Sequence, residues 1–301
     1  MKNDNSCPNK HQFVLTTFNY GAQKYIKKSC KLCTFVSTEP FEGLSMDIYD
    51  SGHYEVKSFS LLPFLINLPD YLNILLILKF RGFQKNAFIL DFGCGKGFFL
   101  KALKLMGYKN LYGLETSKAR AEFSRKLTGL IISDEFYNSG NIIGKKYNLI
   151  SLIHVLEHIP DPFLFLDNLI LGAVENEGGV FIEVPNINSL SSLIAKDVWA
   201  HYTPHFHTNH FSVSSIKKYC IDRNLRYSLI STFSFYNSVM GMTSALLSIF
   251  GYSGSIFEDL KRKNIFVIFS IIIFLPFTLS LEFFISIFSN RGSVIKLIIY
   301  K

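Results

Sequence analysis

The chain has 301 residues, of which 49% are hydrophobic, and a formal net charge of +8. This length suits one large α/β domain with a small appendage. The basic residues form no long run and no signature of a nucleic-acid-binding module occurs, so we expect no nucleic-acid partner. The first residues, MKNDNSCPNKHQ, lack the apolar stretch of a secretion signal, and we expect a cytoplasmic protein.

Cysteine usage points to a metal site rather than to disulfides. Five cysteines, an odd number in a chain without an export signal, argue against a disulfide framework. Cys7, His11, Cys30 and Cys33 form a C-x3-H pair followed by a C-x2-C pair, which can place four ligands tetrahedrally around zinc. We predict a small zinc-ribbon-like module over residues 1–45. The alternative is that His11 is a surface histidine and no metal binds.

The following elements indicate an α/β fold. The apolar segment 61–80 predicts helical structure broken by Pro63 and Pro69. Strands and helices then alternate, which predicts a doubly wound parallel sheet with helices on both faces. The predicted strands are 87–92, 110–114, 129–132, 147–153 and 179–184. The predicted helices are 97–106, 117–127 and 162–172.

A glycine-rich turn joins the first of these strands to its helix in the segment ILDFGCGKGFFL, residues 89–100. Asp91 ends the strand, and Gly93, Gly95 and Gly97 follow at every second position. Dinucleotide-binding enzymes favour G-x-G-x-x-G, which seats a pyrophosphate on the helix N-terminus. The spacing found here suits a cofactor that carries an ammonium and a carboxylate, with Asp91 attracting the ammonium. The alternative is a tight turn without a ligand.

A second acid follows the next strand. Glu115 stands 18 residues after Gly97, where its carboxylate can accept both ribose hydroxyl hydrogens. Thr116 follows it and is grouped with the cofactor-binding residues. Cys94 belongs to the same group by its place in the glycine turn, although we expect its side chain only to pack.

Taken together, these motifs resemble class I S-adenosylmethionine-dependent methyltransferases, of the group that includes ubiquinone-biosynthesis O-methyltransferases and sugar-modifying methyltransferases. The resemblance implies S-adenosylmethionine as the cofactor. It also implies a Rossmann-like seven-stranded sheet over residues 60–236, completed by an antiparallel last strand at 292–301. Many such relatives begin with two C-x2-C pairs, which supports the zinc module. The segments that carry the resemblance are LDFGCGKG (90–97), LYGLETS (111–117), YNLISLIHVLEHIPDP (147–162), GGVFIEVPN (178–186) and HTNHFSVSSIKKYC (207–220).

The segment HVLEHIPDP follows the strand 147–153 at the sheet edge where ligands of open α/β sheets bind. We group His154 with the cofactor-binding residues. His158 is predicted to be the general base, because imidazole titrates near neutral pH; the alternative is a structural histidine bonded to a loop carbonyl. Glu157 is predicted to be catalytic too, with helix capping or divalent-ion binding as alternatives.

The segment WAHYTPHFHTNHFS, residues 199–212, carries four histidines in ten residues. We predict a loop that closes over the acceptor and that contributes His210 to catalysis. Similar sugar C-methyltransferases read His-Glu-His in this region, whereas this chain reads His205-Phe206-His207, which favours O-methylation. A zinc site formed by these histidines is an alternative.

A hydrophobic insertion is predicted at 237–291. Its segment 265–288 has 24 residues with one charge, Glu282, and is long enough to span a bilayer. A single crossing would separate the last strand from its sheet, and the apolar run 238–250 is too short for a second crossing. Pro276 and Glu282 favour two short helices with a break. We expect these helices to lie in the inner-leaflet interface, assisted by Lys261, Arg262, Lys263 and Arg291; the alternative is a buried layer or dimer face.

The sequence therefore predicts in-line methyl transfer to an oxygen of a small-molecule, glycan or lipid-linked acceptor, helped by orientation and proton removal. Sugar C-methylation is one alternative. A nicotinamide-dependent sugar oxidoreductase is another, for which Tyr20 and Lys24 have a Tyr-x3-Lys spacing but precede the nucleotide fold. The last alternative is a non-catalytic, membrane-associated cofactor-binding protein.

Overall fold

The computed structural model of the chain describes residues 13–20, 23–40, 62–135, 145–204 and 206–301. Cys7, His11 and His205 lie outside this part. The strands are β1 (Phe13–Tyr20), β2 (Gln23–Cys30), β3 (Val36–Pro40), β4 (Phe88–Phe92), β5 (Asn110–Leu114), β6 (Ile131–Ser133), β7 (Tyr147–Ile153), β8 (Val174–Pro185), β9 (Asn209–His210), β10 (Arg226–Ser231) and β11 (Val294–Tyr300). The α-helices are α1 (Leu62–Phe80), α2 (Phe98–Leu105), α3 (Lys118–Thr128), α4 (Pro162–Ala173), α5 (Leu190–Ala195), α6 (Val213–Asp222), α7 (Phe235–Ile249), α8 (Ile256–Lys261) and α9 (Ile265–Phe288).

Seven strands form the larger sheet, in the order β10-β11-β8-β7-β4-β5-β6. Strands β4 to β8 pair in parallel with one another, whereas β11 runs antiparallel to both β8 and β10. Parallel neighbours require crossover connections, and α2, α3 and α4 provide helical ones. The predicted doubly wound α/β sheet, with seven strands and an antiparallel last strand, is confirmed.

Apolar side chains cover both faces of this sheet. Consecutive strand residues point to opposite faces, and Ile89 and Leu90 of β4 accordingly belong to different buried clusters, as do Leu149 and Ile150 of β7. All four side chains are fully buried. Burial of each such side chain stabilises the fold by roughly 1.5–3 kcal/mol. Strands without a polar face are the reason that this part of the sequence reads as short, almost continuous apolar runs.

A smaller antiparallel sheet has the order β1-β2-β3-β9. Cys30 and Cys33 flank the turn between β2 and β3, and both are buried in the same apolar cluster as β4 and β7. The Cys33 carbonyl accepts hydrogen bonds from the hydroxyls of Ser212 (2.9 Å) and Ser214 (3.0 Å), at the start of α6. These contacts attach the cysteine turn to the larger domain.

The predicted break in the first long helix is wrong, because α1 continues from Leu62 to Phe80 with Pro69 inside it. Pro63 lies in the first turn, where a backbone N–H would have no helical partner. Pro69 forfeits one helical hydrogen bond, and the Asn67 side chain satisfies a nearby carbonyl by donating to Pro63 O at 2.8 Å. Packing of the buried C-terminal half of α1 outweighs that local cost.

The predicted break in the insertion is also wrong, because α9 is one helix from Ile265 to Phe288 with Pro276 inside it. The Ser280 hydroxyl donates to the Pro276 carbonyl at 2.8 Å. Glu282 is fully buried, and its Oε1 accepts a hydrogen bond of 2.6 Å from the Ser293 hydroxyl. Glu282 therefore anchors α9 to the start of β11 and does not interrupt the helix.

Two further boundaries differ from the prediction. Strand β8 begins at Val174, five residues before the predicted start, because ENEGG continues the strand through a register shift opposite β7 and does not form a turn. The predicted insertion starts at 237, whereas its first helix, α7, already begins at Phe235, after β10 ends at Ser231. The other predicted elements of the sheet core agree within two residues.

The apolar helices α1 and α9 each have the length and composition of a membrane-crossing helix, and 22% of each apolar stretch is buried. Helix α7 contacts both of them and is largely buried. The insertion thus combines the buried helix α7 with the more exposed apolar helix α9. This arrangement is intermediate between the two that we considered from the sequence, helices in the membrane interface and a buried layer.

Candidate active site

Asp91 lies at the carboxyl end of β4, beneath the glycine turn, and is almost fully buried. Ser151 of the adjacent β7 donates a hydrogen bond of 2.7 Å to Asp91 Oδ1. Burial raises the pKa of the Asp91 carboxyl to about 7; the Ser151 hydrogen bond opposes this shift, and the charge of Glu115 adds to it. A positively charged ligand group beside Asp91 would favour its ionised form.

The three glycines of the turn all have left-handed backbone conformations, with φ of 70° at Gly93, 54° at Gly95 and 74° at Gly97. A Cβ at Gly93 would lie 2.6 Å from a Val155 methyl carbon, and one at Gly97 would lie 2.2 Å from the Ser124 hydroxyl. A Cβ at Gly95 would meet no atom within 4 Å. Gly93 and Gly97 are thus required by close packing. Gly95 instead borders an open space above the glycine turn, which we call the cradle.

Glu115 follows β5 and connects its loop to the glycine turn. The Gly95 N–H donates to Glu115 Oε2 and the Ser117 N–H donates to Glu115 Oε1, each at 2.9 Å. An ionised carboxylate has about four acceptor sites, so both oxygens retain capacity for ligand hydroxyls. Thr116 is exposed in the same loop. The Cys94 side chain is buried against α3, with Sγ 3.9 Å from the Ser124 hydroxyl, and does not line the cradle.

His154 follows β7 with a positive φ of 54° and lies between two buried carboxylates. Its Nδ1 is 3.3 Å from Glu157 Oε1, and its Nε2 is 3.3 Å from Glu183 Oε1. Burial lowers the pKa of His154, but the hydrogen bonds and charges of the two glutamates outweigh burial and raise the pKa to about 10. The side chain is therefore an imidazolium, and its ring nitrogens lie against Glu157, Glu183 and Asn237 rather than against the glycine turn.

A buried ion-pair chain continues from Glu183, and sequence reasoning missed it. Lys296 of β11 is fully buried, with Nζ 3.6 Å from Glu183 Oε2 and 3.2 Å from Asp70 Oδ1. Asp70 of α1 also accepts backbone hydrogen bonds from Phe235 and Tyr236 at the start of α7. The available signal was a lysine in the otherwise apolar strand VIKLIIY, since a charge in such a strand requires buried partners.

His158 and His207 face each other beside Glu157. Their ring centroids are 4.8 Å apart, and one potential ligand atom of each residue lies within 4.8 Å of those of the other two. His158 Nδ1 is 2.9 Å from the Phe206 carbonyl, and His207 Nδ1 is 3.0 Å from the His201 carbonyl. Carbonyls only accept, so each Nδ1 carries a hydrogen, and in a neutral imidazole this leaves the lone pair on Nε2.

The electrostatics of this group follow from its burial. Burial by itself raises the pKa of Glu157, but the His154 hydrogen bond and the nearby imidazoles outweigh it and lower the pKa to about 2. Burial lowers the pKa of His207 to about 4, against the opposing charge of Glu157. Glu157 is thus ionised and His207 neutral near pH 7.

His210, which the sequence predicts to contribute to catalysis, does not join this group. It is buried in β9, with Nε2 3.3 Å from the Thr38 hydroxyl and its ring against Tyr202. Burial lowers the pKa of His210 to about 3. His201 is buried as well, with Nε2 3.1 Å from the Asn237 carbonyl. Of the described histidines in the predicted loop, His207 is the one that reaches Glu157 and His158, and the sequence pattern did not distinguish it from the others.

Comparison with known proteins identifies the family. The family model for a methyltransferase domain matches residues 68–230, more than half of the chain. No curated protein matches the sequence. The plantazolicin methyltransferase BpumL, in complex with a pentazolic desmethylPZN analog and SAH, is 15% identical with a TM-score of 0.51, over 85% of this chain and 93% of that chain. The structure of BpumL in complex with SAH is 16% identical with a TM-score of 0.51, over 85% and 92%.

At these identities the solved structures establish a shared fold, while the family model establishes membership. The oxidoreductase and the non-catalytic binding protein weighed from the sequence are thereby set aside. The chain belongs to the methyltransferase domain family and is a class I S-adenosylmethionine-dependent methyltransferase.

Proposed function

We propose that this methyltransferase transfers the methyl group in line to an oxygen of its acceptor, and that the acceptor is a small molecule or glycan linked to a lipid. The acceptor proton leaves, the new C–O bond forms, and the electron pair of the breaking S–CH₃ bond returns to sulfur. Positioning of the two reactants supplies most of the acceleration.

In this proposal the cofactor occupies the cradle above the glycine turn. Asp91 pairs with its ammonium group, which compensates a buried carboxylate of raised pKa. The amino-acid moiety lies against Gly95, where a side chain would fill the available space. Glu115 receives the ribose hydroxyls on carboxylate oxygens that already accept backbone N–H groups, and Thr116 borders the same loop.

The single observation that favours oxygen as the acceptor atom is the tautomer of His158. Its Nδ1 donates to the Phe206 carbonyl, so in the neutral imidazole the lone pair lies on Nε2, and the ring lies in one cluster with Glu157. Such a nitrogen can accept a hydroxyl proton. His154, held between Glu157 and Glu183, acts as a positioning residue for this pair.

A label-transfer experiment tests O-methylation. The protein is incubated with methyl-labelled S-adenosylmethionine and a membrane lipid extract, and the products are partitioned into an organic phase. We expect label in an ether or ester that depends on His158, with His158→Gln keeping S-adenosylhomocysteine binding but losing transfer. Label found on carbon, or undiminished transfer by His158→Gln, would contradict this proposal.

The membrane part of the proposal is based on the outward face of α9, where Phe269 is 63% exposed and Ile273 is 55% exposed. The turn just before this helix carries three exposed basic residues, Lys261, Arg262 and Lys263. An apolar helical face beside cations fits the interface of an anionic leaflet. Helix α7 connects this face to the active site, because it packs against α9 and its Asn237 side chain lies against His154.

Vesicle flotation tests the lipid surface. We expect the full chain to float with phosphatidylserine-containing vesicles and less with purely zwitterionic ones, and we expect Phe269→Glu to reduce flotation. Leu171→Glu is the matched control, because Leu171 is an exposed apolar residue of α4, on another part of the protein. If the wild-type protein floats with neither kind of vesicle, the membrane-linked acceptor is excluded.

We also propose that zinc is bound by Cys30 and Cys33 together with Cys7 and His11. The turn between β2 and β3 already holds two of these cysteines near each other. Metal analysis of the purified chain should find zinc, and the Cys33→Ser variant should hold one zinc fewer per chain. A zinc-free wild-type protein would exclude this structural site.

A further inference from the structure

Three side chains from two separate segments converge beyond the carboxyl end of β7. Glu157 and His158 belong to the 3₁₀ turn Leu156–His158, and His207 comes from the segment before β9. Their ligand atoms all lie within 4.8 Å of one another. Three ligand atoms spread evenly at about 2.1 Å from one ion lie at most about 3.6 Å apart, so the three side chains would have to move together by up to about 1 Å to close around an ion.

Both histidines are held in the manner of metal ligands. A metal-ligating imidazole almost always donates its other ring N–H to a carbonyl, carboxylate or water. His158 does so to the Phe206 carbonyl and His207 to the His201 carbonyl. Each Nε2 therefore keeps a lone pair.

The third group is a buried carboxylate oxygen that lacks a partner. Glu157 is 1% exposed, and its Oε2 accepts no hydrogen bond from any residue that the structure describes. Within the same buried chain of charges, the carboxylates of Glu157, Glu183 and Asp70 face two cations, His154 and Lys296. One negative charge is left over, and a buried charge without a partner is costly.

We propose that Glu157, His158 and His207 form a binding site for a divalent transition-metal cation. Two imidazoles and one carboxylate suit ions such as Zn²⁺, Fe²⁺ or Mn²⁺. Three protein ligands leave coordination positions open, as catalytic sites require.

The role of this cation rests on the proposed function, because the acceptor oxygen is the group assigned to an open position. A bound cation acidifies a coordinated hydroxyl and orients it. The acceptor proton would then leave to solvent before the methyl group moves. In this form His158 acts as a ligand, which replaces its role as a direct base.

Co²⁺ titration of the full chain tests the site, because thiolate ligands add an intense charge-transfer band that imidazole and carboxylate ligands do not. We expect one Co²⁺ to bind without that band, separately from any cysteine-bound ion. His207→Gln should weaken this binding by more than about 100-fold, beyond the 10–100-fold effect of losing a ligand's hydrogen-bond partner. His158→Gln provides a second variant if His207→Gln does not fold.

Two controls separate this site from the cofactor site. His207→Gln should still bind S-adenosylhomocysteine, which also shows that the variant is folded. Asp91→Asn should lose affinity for S-adenosylhomocysteine and keep the thiolate-free Co²⁺ spectrum.

The outcomes are distinguishable. If wild-type protein binds S-adenosylhomocysteine but shows only thiolate-bound Co²⁺, or if both histidine variants bind Co²⁺ as wild type does, the metal site is overturned and the proposed function stands. If Co²⁺ binds as expected but no oxygen is methylated, the metal site is supported and the proposed function fails.

Discussion

Lys296 Nζ lies 3.2 Å from Asp70 Oδ1, and this buried ion pair joins the last strand of the sheet to the first long helix. Asp70 also accepts the Ser234 hydroxyl at 3.0 Å, just before α7. One carboxylate thus connects α1, α7 and β11. The exposed apolar helices are tied to the sheet by charge as well as by packing.

Replacement of Lys296 by methionine should be strongly destabilising. The change leaves Asp70 buried without its cation and Glu183 with His154 as its remaining cationic partner, and breaking such a pair costs about 3–5 kcal/mol. Denaturant unfolding measures the loss in free energy. Lys218→Met is the control, because Lys218 pairs with Asp222 at the surface, where a pair contributes at most about 1 kcal/mol. Similar losses in both variants would show that the buried pair has no special role.

A side chain at Gly95 should block the cofactor without unfolding the protein. Gly95→Leu fills the open cradle, and we expect affinity for S-adenosylhomocysteine to fall by about 10- to 100-fold in calorimetric titration. Gly82→Leu is matched to it, because Gly82 also has a positive φ, of 85°, and no atom within 4 Å of a Cβ. Both variants bear a strain of about 1–2 kcal/mol, so equal affinities would argue against the cradle.

Cofactor affinity should depend on pH through Asp91. Burial raises the pKa of its carboxyl to about 7, and only the ionised form pairs with an ammonium. Affinity should therefore fall as pH decreases below about 7, approaching tenfold for each pH unit. Calorimetric titrations between about pH 5.5 and 7 should show this slope in wild type and a weak, flat response in Asp91→Asn. A flat wild-type profile would contradict the pairing.

Glu282 should make the fold less stable as pH rises. Burial raises the pKa of its carboxyl to about 7, while the hydrogen bonds from Ser293 and Ser238 oppose the shift. Because the folded pKa exceeds the usual value of about 4.5, the stabilisation is complete below pH 4.5 and is lost as pH rises through 7. The contribution is roughly 3 kcal/mol.

The measurement compares unfolding free energies of wild type and Glu282→Gln between about pH 5 and 8. The difference between the two proteins should change with pH in favour of the variant at high pH. Parallel profiles would show that Glu282 does not titrate in this window.

Local sequence patterns were sufficient to predict the strands and helices of the sheet core. Apolar runs such as the one ending at Asp91 form strands that are buried on both faces, and the glycines after it have left-handed φ values. The two prolines at 69 and 276 misled the prediction, because tertiary packing of α1 and α9 outweighs one lost helical bond in each.

The candidate active site likewise combines features that the sequence predicts with features that it does not. Asp91 and Glu115 stand at strand ends, so sequence position alone indicates the edge of the sheet where they lie. Which histidine meets His158 depends on the path of the segment before β9, and His207 rather than His210 is brought there. Lys296 and Glu183 belong to neighbouring strands more than a hundred residues apart in the chain, and no local pattern relates them.

The amino-acid sequence by itself determined the strand–turn–helix unit and the glycine turn with its two acids, because each depends on residues close together in the chain, whereas the antiparallel place of the last strand followed from the family resemblance. Only the tertiary structure decided the continuity of α1 and α9, the buried chain of charges and the meeting of Glu157, His158 and His207. These features arise from contacts between distant segments, whose energies depend on burial and geometry that a linear pattern does not contain.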